Sequence, residues 1–268
     1  MAAGIDFAEL QVGPNGLFWN EYRPEDAACR IWHWREGTAK CLTPPGFSVR
    51  SRVYEYGGGA FCLTDDGIVF VNETDQQLYR QSLQGEAPER LTSSACRYGD
   101  LRFANGQVLA VEEHRDQHRL VAIDLLGGAR HLLAEGADFY AAPTLSPGAR
   151  RLAWIEWSRP DQPWTATRLM VAERLANDGF AKARCVAGDG AQESVQQPRF
   201  DADGRLYCLT DRAGYWQPWM ESGKGLSPLP SATADHGPAP WQLGGSTWLP
   251  LGDHSYCLLY TSPSPRDS

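Results

Sequence analysis

Apolar runs and turn sequences alternate along the whole chain at a spacing near 45 residues. A turn that contains glycine recurs at Gly16, Gly67, Gly106, Gly148 and Gly204, so that successive glycines are 51, 39, 42 and 56 residues apart. A short apolar run follows each of these turns. Such a run after a glycine turn predicts a β-strand leaving a hairpin.

Each repeat continues with a polar loop, a third apolar run and a shorter fourth run. Four short strands in roughly 45 residues are typical of a β-propeller blade, whose sheet buries its faces by stacking on its neighbours. The sequence therefore predicts an all-β fold, a β-propeller of four-stranded antiparallel blades, with about five and a half blades present and the ring incomplete. The predicted propeller domain is 1–256, with blades at about 9–45, 56–94, 97–139, 141–190 and 194–238 and the start of a sixth at 239–256.

Two segments permit a second interpretation. Residues 166–175 also fit an amphipathic helix, but the register of the other repeats favours a strand there. Residues 257–268 break the repeat, and 257–267 match the in-frame translation of a transposase sequencing adapter. We interpret 257–268 as an adapter-derived artefact, the alternative being a native tail rich in proline and serine.

Charge and composition restrict the classes of function and partner that the sequence allows. The net charge is −8, which disfavours nucleic acid and anionic lipid as partners. No apolar run reaches the length of a membrane-spanning helix, and the start of the chain lacks the pattern of a signal peptide. We therefore expect a cytoplasmic protein with no membrane partner, no cofactor and no metal site, and reduced structural cysteines.

Catalytic motifs are missing from the sequence. A serine hydrolase of the α/β class places its nucleophile in a G-x-S-x-G elbow, and the run around Ser246 lacks the second glycine. His114 and His118 have the spacing of a helical zinc motif, but Arg115 replaces its essential glutamate, so a solvated hairpin loop is favoured. Gly57–Gly59 lacks the spacing of a phosphate loop, and a tight turn explains it. No catalytic residue is assigned.

Residues 49–61 are the main candidate for ligand binding. In an extended chain Arg50 and Arg52 share one face with two tyrosines, while Glu55 lies on the other. Two adjacent guanidinium groups can receive a carboxylate, so Arg50, Arg52 and Glu55 are predicted substrate contacts. The competing interpretation is a salt-bridge network between blades.

Two tryptophans are further candidates. Most of the ten tryptophans recur at equivalent strand positions, which indicates packing within and between blades. Trp157 and Trp164 instead flank the polar loop 158–163, and both are predicted substrate-binding residues.

Several of these segments, taken in order, resemble the amino-terminal propeller of bacterial prolyl oligopeptidase family serine peptidases. Within that family, the dipeptidyl aminopeptidase and acylaminoacyl-peptidase-like branch is the most similar. The segments that carry the resemblance are 19–24, 50–61, 137–140, 145–154, 163–164, 193–198 and 210–216.

The resemblance implies a two-part enzyme, in which a propeller caps a carboxy-terminal α/β-hydrolase domain that carries the serine, aspartate and histidine. This sequence ends inside the propeller, so we expect the hydrolase domain to be absent and the fragment to carry no catalytic triad. The implied function is the non-catalytic, substrate-gating portion of a peptidase for short peptides, inactive by itself. The alternative is a stand-alone β-propeller that serves as a binding or scaffold module.

Overall fold

A computed structural model describes residues 5–176, 179–190, 192–223, 225–252 and 255–258. In these residues the regular elements are strands, apart from a 3-10 turn at Pro147–Ala149. The strands form five four-stranded antiparallel sheets and one two-stranded sheet within the described part of the chain. The predicted all-β class and the four-stranded blades are confirmed.

Each four-stranded sheet is built from strands consecutive in the chain. The first sheet contains β1 (Asp6–Gly13), β2 (Gly16–Arg23), β3 (Ala28–Arg35) and β4 (Thr38–Cys41). The second contains β5 (Phe61–Leu63), β6 (Gly67–Val71), β7 (Leu78–Ser82) and β8 (Glu89–Arg90). The third contains β9 (Arg97–Ala104), β10 (Gln107–His114), β11 (Gln117–Asp124) and β12 (Arg130–Ala134).

The later sheets follow the same order. The fourth contains β13 (Phe139–Leu145), β14 (Arg151–Trp157), β15 (Arg168–Glu173) and β16 (Arg184–Ala187). The fifth contains β17 (Val195–Phe200), β18 (Leu206–Thr210), β19 (Gln217–Ser222) and β20 (Gly225–Pro228). The last pairs β21 (Trp248–Gly252) with β22 (Ser255–Leu258).

The chain divides into two compact units. Of the described residues, the first unit comprises 5–143 together with 242–244, and the second comprises those from 144 to 241 together with those from 245 to 258. In the first unit, a core of buried residues from the first and second sheets includes Phe18, Ile31 and Phe70. In the second unit, Tyr207 and Leu209 of β18 pack with Trp248 of β21. Sheets therefore bury their apolar faces against neighbouring sheets, as the repeat pattern requires.

The first strand of several sheets carries a bulge whose residue has positive φ. At each bulge a side-chain oxygen accepts a hydrogen bond from a backbone N–H at or just before the next first strand, so the bulge residue links consecutive blades. The bulge residues are Glu9 (φ 55), Asp100 (φ 52) and Gln197 (φ 49), and the donors are Ala60 at 2.9 Å, Ala142 at 2.6 Å and Thr247 at 2.9 Å.

Two local expectations are settled by the strands. Residues 168–173 form β15, so the strand interpretation of 166–175 is correct. The solvated-loop interpretation of 112–118 is wrong for most of its length, because only Arg115 and Asp116 form the turn between β10 and β11. His118 is 9% exposed. Of the segment 257–268, only Cys257 and Leu258 are described, in β22; the remainder lies outside the described residues.

Candidate functional site in the glycine loop

The connection from β4 to β5 contains the candidate segment, and we call residues 49–60 the glycine loop. It is extended only at its start, where Val49 bridges Asn72. Tyr54 and Glu55 both have positive φ, at 56° and 65°, and Gly57 N donates to Val53 O at 2.9 Å. The expected alternation of faces is therefore wrong beyond Val53, because the chain turns there.

Arg50 and Arg52 share one partner, the carboxylate of Glu73. Arg52 Nη2 lies 3.0 Å and Arg50 Nη1 3.7 Å from Glu73 Oε1. The Ser48 hydroxyl donates to the other oxygen at 2.7 Å. The two arginine side chains are nevertheless 61% and 53% exposed. The structure thus brings the predicted pair together and supplies it with a carboxylate from the same chain.

Burial alone would raise the pKa of Glu73, but it is lowered overall by the hydrogen bonds from Ser48 and Arg52 and by the charges of both arginines. A carboxyl whose pKa is lowered in the folded state stabilises the fold at pH values above its ordinary pKa of 4.5. That contribution is lost as the pH falls through the folded-state pKa.

The substitution Glu73→Gln is therefore expected to reduce the free energy of unfolding at pH 7 by about 1 kcal/mol or less, because the site is partly exposed. The difference from the unaltered chain should begin to shrink below pH 4.5 and disappear as the pH falls through the lowered pKa of Glu73 in the folded state. Urea unfolding at a series of pH values measures it. Glu86→Gln, at an exposed position in the loop between β7 and β8, is the control. An equal loss at pH 3 and pH 7 would contradict the assignment.

Glu55 forms an ion pair with a different arginine, Arg97. Its Oε1 accepts from Arg97 Nη1 at 2.6 Å, and the same nitrogen donates to Arg52 O at 3.1 Å. The hydrogen bond and charge of Arg97 lower the pKa of Glu55, although its side chain is 78% exposed. Arg97 also lies 3.6 Å from Glu113. The three predicted contacts of the loop therefore lie in two ion-pair groups joined by the backbone of Arg52.

Tyr54 is a residue that the sequence analysis did not select. Its hydroxyl donates to Tyr140 O at 3.0 Å and accepts from Tyr140 N at 2.9 Å. The phenol thus takes the place of a neighbouring strand at the start of β13. Its ring makes edge contacts with His118 and Phe139 at 4.8 Å and 5.2 Å between centroids. Burial raises the pKa of Tyr54 well above its ordinary value, so the phenol stays protonated.

The sequence signal for this cluster was the family resemblance, which the segments 50–61 and 137–140 both carried. Residues 54 and 140 are 86 positions apart, and no periodic pattern joins them.

The three glycines of the loop all have positive φ. Asp100 N donates to Gly58 O at 3.1 Å and Leu101 N to Gly59 O at 2.9 Å, so the loop pairs directly with β9. A Cβ on Gly59 would lie 2.5 Å from Asp100 Cα. Close backbone approach, more than turn geometry alone, explains why these positions are glycine.

The predicted tryptophans belong to the second unit. Trp157 ends β14 and is 7% exposed, so it offers a ligand little surface. It lines a cavity of about 450 Å³ with Arg159 and Arg168. The ring of Trp164 lies 4.4 Å between centroids from that of Trp241, tilted by 34°, and Trp241 is 59% exposed. The structure does not join the two indoles in one site.

The described residues contain no group of three or more histidine, cysteine, aspartate or glutamate side chains that could hold a metal ion. None of their helices is long and apolar enough to cross a membrane. Ser246, considered above as a nucleophile, accepts a hydrogen bond from Arg199 at 2.8 Å.

Comparison with solved structures identifies similar folds. A puromycin-hydrolysing peptidase from Mycobacterium tuberculosis superposes with a TM-score of 0.86 and 30% identity, over 95% of this chain and 43% of that one. Puromycin hydrolase gives 0.83 and 27%, over 93% and 42%. A mutant of puromycin hydrolase complexed with PGG gives 0.83 and 26%, with the same coverage.

No protein-family profile and no curated protein matches the sequence. The chain spans less than half the length of these solved relatives. Over nearly all of its own length, it has the same β-propeller fold as they have.

Proposed function

We propose, on the premise that this chain is a β-propeller of the prolyl oligopeptidase family, that it is the non-catalytic, substrate-gating portion of a serine peptidase for short peptides. By itself it is inactive. The partner is a carboxy-terminal α/β-hydrolase domain, and the substrate is a short peptide or a related aminoacyl amide.

The observation that carries the proposal is the match to the puromycin-hydrolysing peptidases, over 93–95% of this chain and 42–43% of theirs. The unmatched part of those chains is long enough for a hydrolase domain of some 200 to 250 residues. This sequence lacks the G-x-S-x-G elbow that would place a nucleophile beside oxyanion donors. The match and the missing elbow together support a propeller that acts on access and not on chemistry.

The glycine loop supplies the proposed peptide contacts. Arg50 and Arg52 share the single negative charge of Glu73, which leaves one net positive charge, and both arginine side chains are more than half exposed. Such a group attracts a peptide carboxylate, though less strongly than two unpaired arginines would. Glu55, 78% exposed, offers an acceptor for a peptide ammonium group. In the second unit, Trp164 and Trp241 offer a separate aromatic surface.

The second candidate is a stand-alone binding or scaffold propeller. Sequencing the source DNA across codon 256 into the downstream region discriminates the two. A frame that continues into a G-x-S-x-G elbow, followed by aspartate and histidine, supports the peptidase. A stop directly after codon 268 supports the stand-alone module, and dipeptidyl or acylaminoacyl specificity then has no basis.

The inactivity is tested on the purified chain. We expect no hydrolysis of chromogenic aminoacyl or dipeptidyl substrates and no labelling by a fluorophosphonate probe, because no activated serine is available. A puromycin-hydrolysing peptidase treated in parallel is the positive control, and a heat-denatured sample measures background. Stoichiometric labelling of any serine would overturn the inactive-fragment proposal.

A further inference from the structure

A tripeptide of the chain, Gln242–Gly244, lies on the glycine loop in the manner of a bound peptide. Leu243 forms a parallel β-bridge with Gly58, and Leu243 N donates to Gly57 O at 3.0 Å. Gln242 Nε2 donates to Tyr56 O at 3.3 Å. These three residues belong to the first unit, although the residues before and after them in the chain belong to the second.

The contact depends on missing side chains. A Cβ on Gly58 would lie 2.2 Å from Leu243 O, and one on Gly244 would lie 2.4 Å from Gly59 N. Gly58 also has a φ of +103°, which L side chains rarely adopt. The two backbones therefore meet with nothing between them, and recognition runs through main-chain groups that every peptide possesses.

We propose that Gly57–Gly59 forms a binding edge for one residue of an extended peptide, and that Gln242–Gly244 is an internal ligand which a peptide displaces. Pairing of an extended peptide with an exposed backbone edge is a common mode of recognition. The inference rests on the proposed function in taking a peptide as the ligand. It adds the site, and the segment that competes for it.

The surroundings suit a longer peptide. Tyr56 is 64% exposed beside the bridge, and the side chain of Arg52 is 53% exposed in the same loop. An aromatic ring and a cation beside a main-chain edge can contact side chains or a carboxylate of a ligand that extends past the bridge. Compared with a free peptide of the same sequence, which can make the same hydrogen bonds, the internal segment gains only from its covalent tether. An effective concentration on the order of millimolar is what a short flexible tether provides, so free peptide at that level competes.

The first test removes the internal donor. Leu243→Pro lacks the N–H that bonds Gly57 O, whereas Leu243→Ala keeps it and is the matched control. The probe is acetyl-Gln-Leu-Gly-amide, titrated by NMR or calorimetry. We expect the proline variant to bind it about tenfold more tightly than the alanine variant, because the internal competitor is weakened. Equal affinities of the two variants, or no binding to either, would overturn the proposal.

The second test keeps Leu243 and uses amide hydrogen exchange in the unaltered chain. Millimolar probe should speed exchange at the Leu243 amide by displacing it from Gly57 O, and an unchanged rate would contradict displacement. Adding Gly58→Ala to Leu243→Pro should abolish probe binding, and retained binding would place the site elsewhere. Neither result depends on a hydrolase domain. Failure here therefore leaves the peptidase proposal standing, and labelling of a serine would leave this site standing.

Discussion

Alanine at position 59 is expected to cost more than about 4 kcal/mol in free energy of unfolding, from a left-handed backbone penalty plus overpacking. The added Cβ would lie 2.5 Å from Asp100 Cα and 2.8 Å from Asp100 N. Both atoms are backbone, so no rotamer change relieves the overlap. The loop would have to withdraw from β9 and lose the hydrogen bonds to Gly58 O and Gly59 O.

Such a loss is a large part of the free energy of unfolding of a domain, which is usually about 5–15 kcal/mol. Gly59→Ala should therefore unfold at a much lower urea concentration or accumulate as aggregate. Gly106→Ala is the matched control. Gly106 also has positive φ, at +74°, but nothing lies within 4 Å of an added Cβ. It isolates the backbone penalty, about 1 kcal/mol. Equal midpoints for the two variants in urea unfolding would show that the close approach to Asp100 contributes nothing.

The substitution Tyr54→Phe is expected to destabilise the fold by about 2–4 kcal/mol, because it leaves two backbone groups without their partner. The hydroxyl of Tyr54 serves both Tyr140 N and Tyr140 O, and Tyr140 is fully buried. Phenylalanine keeps the ring packing against His118 and Phe139. The loss is therefore assigned to the hydrogen bonds and not to a cavity.

Urea unfolding followed by tryptophan fluorescence measures the effect. Tyr56→Phe removes the same atom two residues away from a side chain that is 64% exposed, and a change within 0.5 kcal/mol, about the usual limit for such surface positions, is expected. Hydrogen exchange at the Tyr140 amide should quicken in Tyr54→Phe and stay unchanged in the control. Equal stability of both variants would mean that solvent replaces the phenol at no cost.

Much of the fold followed from local patterns. Glycine turns followed by apolar runs predicted the strands, since the alternation that buries one face of a sheet is written in consecutive residues. The four-strand repeat predicted the blades, because a sheet of this kind is stable only when stacked. The segments 50–61 and 137–140 were among those that resemble the propeller of a peptidase family. The solved structures that match nearly the whole chain are a puromycin-hydrolysing peptidase and puromycin hydrolase.

The candidate functional site could be predicted less completely from the sequence than the fold. The arginine pair could be selected because Arg50 and Arg52 are close in the chain, but not their partner Glu73, which is supplied by a turn of the second sheet. An extended chain would place Glu55 on the face opposite Arg50 and Arg52, whereas Tyr54 and Glu55 adopt the left-handed conformation. Such φ values in non-glycine residues are held by their surroundings and not by residue type.

The sequence by itself determined an all-β chain of repeated four-stranded blades without a serine elbow, since strand period, turn chemistry and motif spacing are local properties. Only the tertiary structure decided that Tyr54 pairs with Tyr140, that Gly58 faces Leu243 and that the bulge residues link consecutive blades. These contacts join residues 42 to 185 positions apart. Their geometry is set by how separate strands pack against one another. That packing depends on many residues distant in sequence, so the pattern of one segment does not predict it.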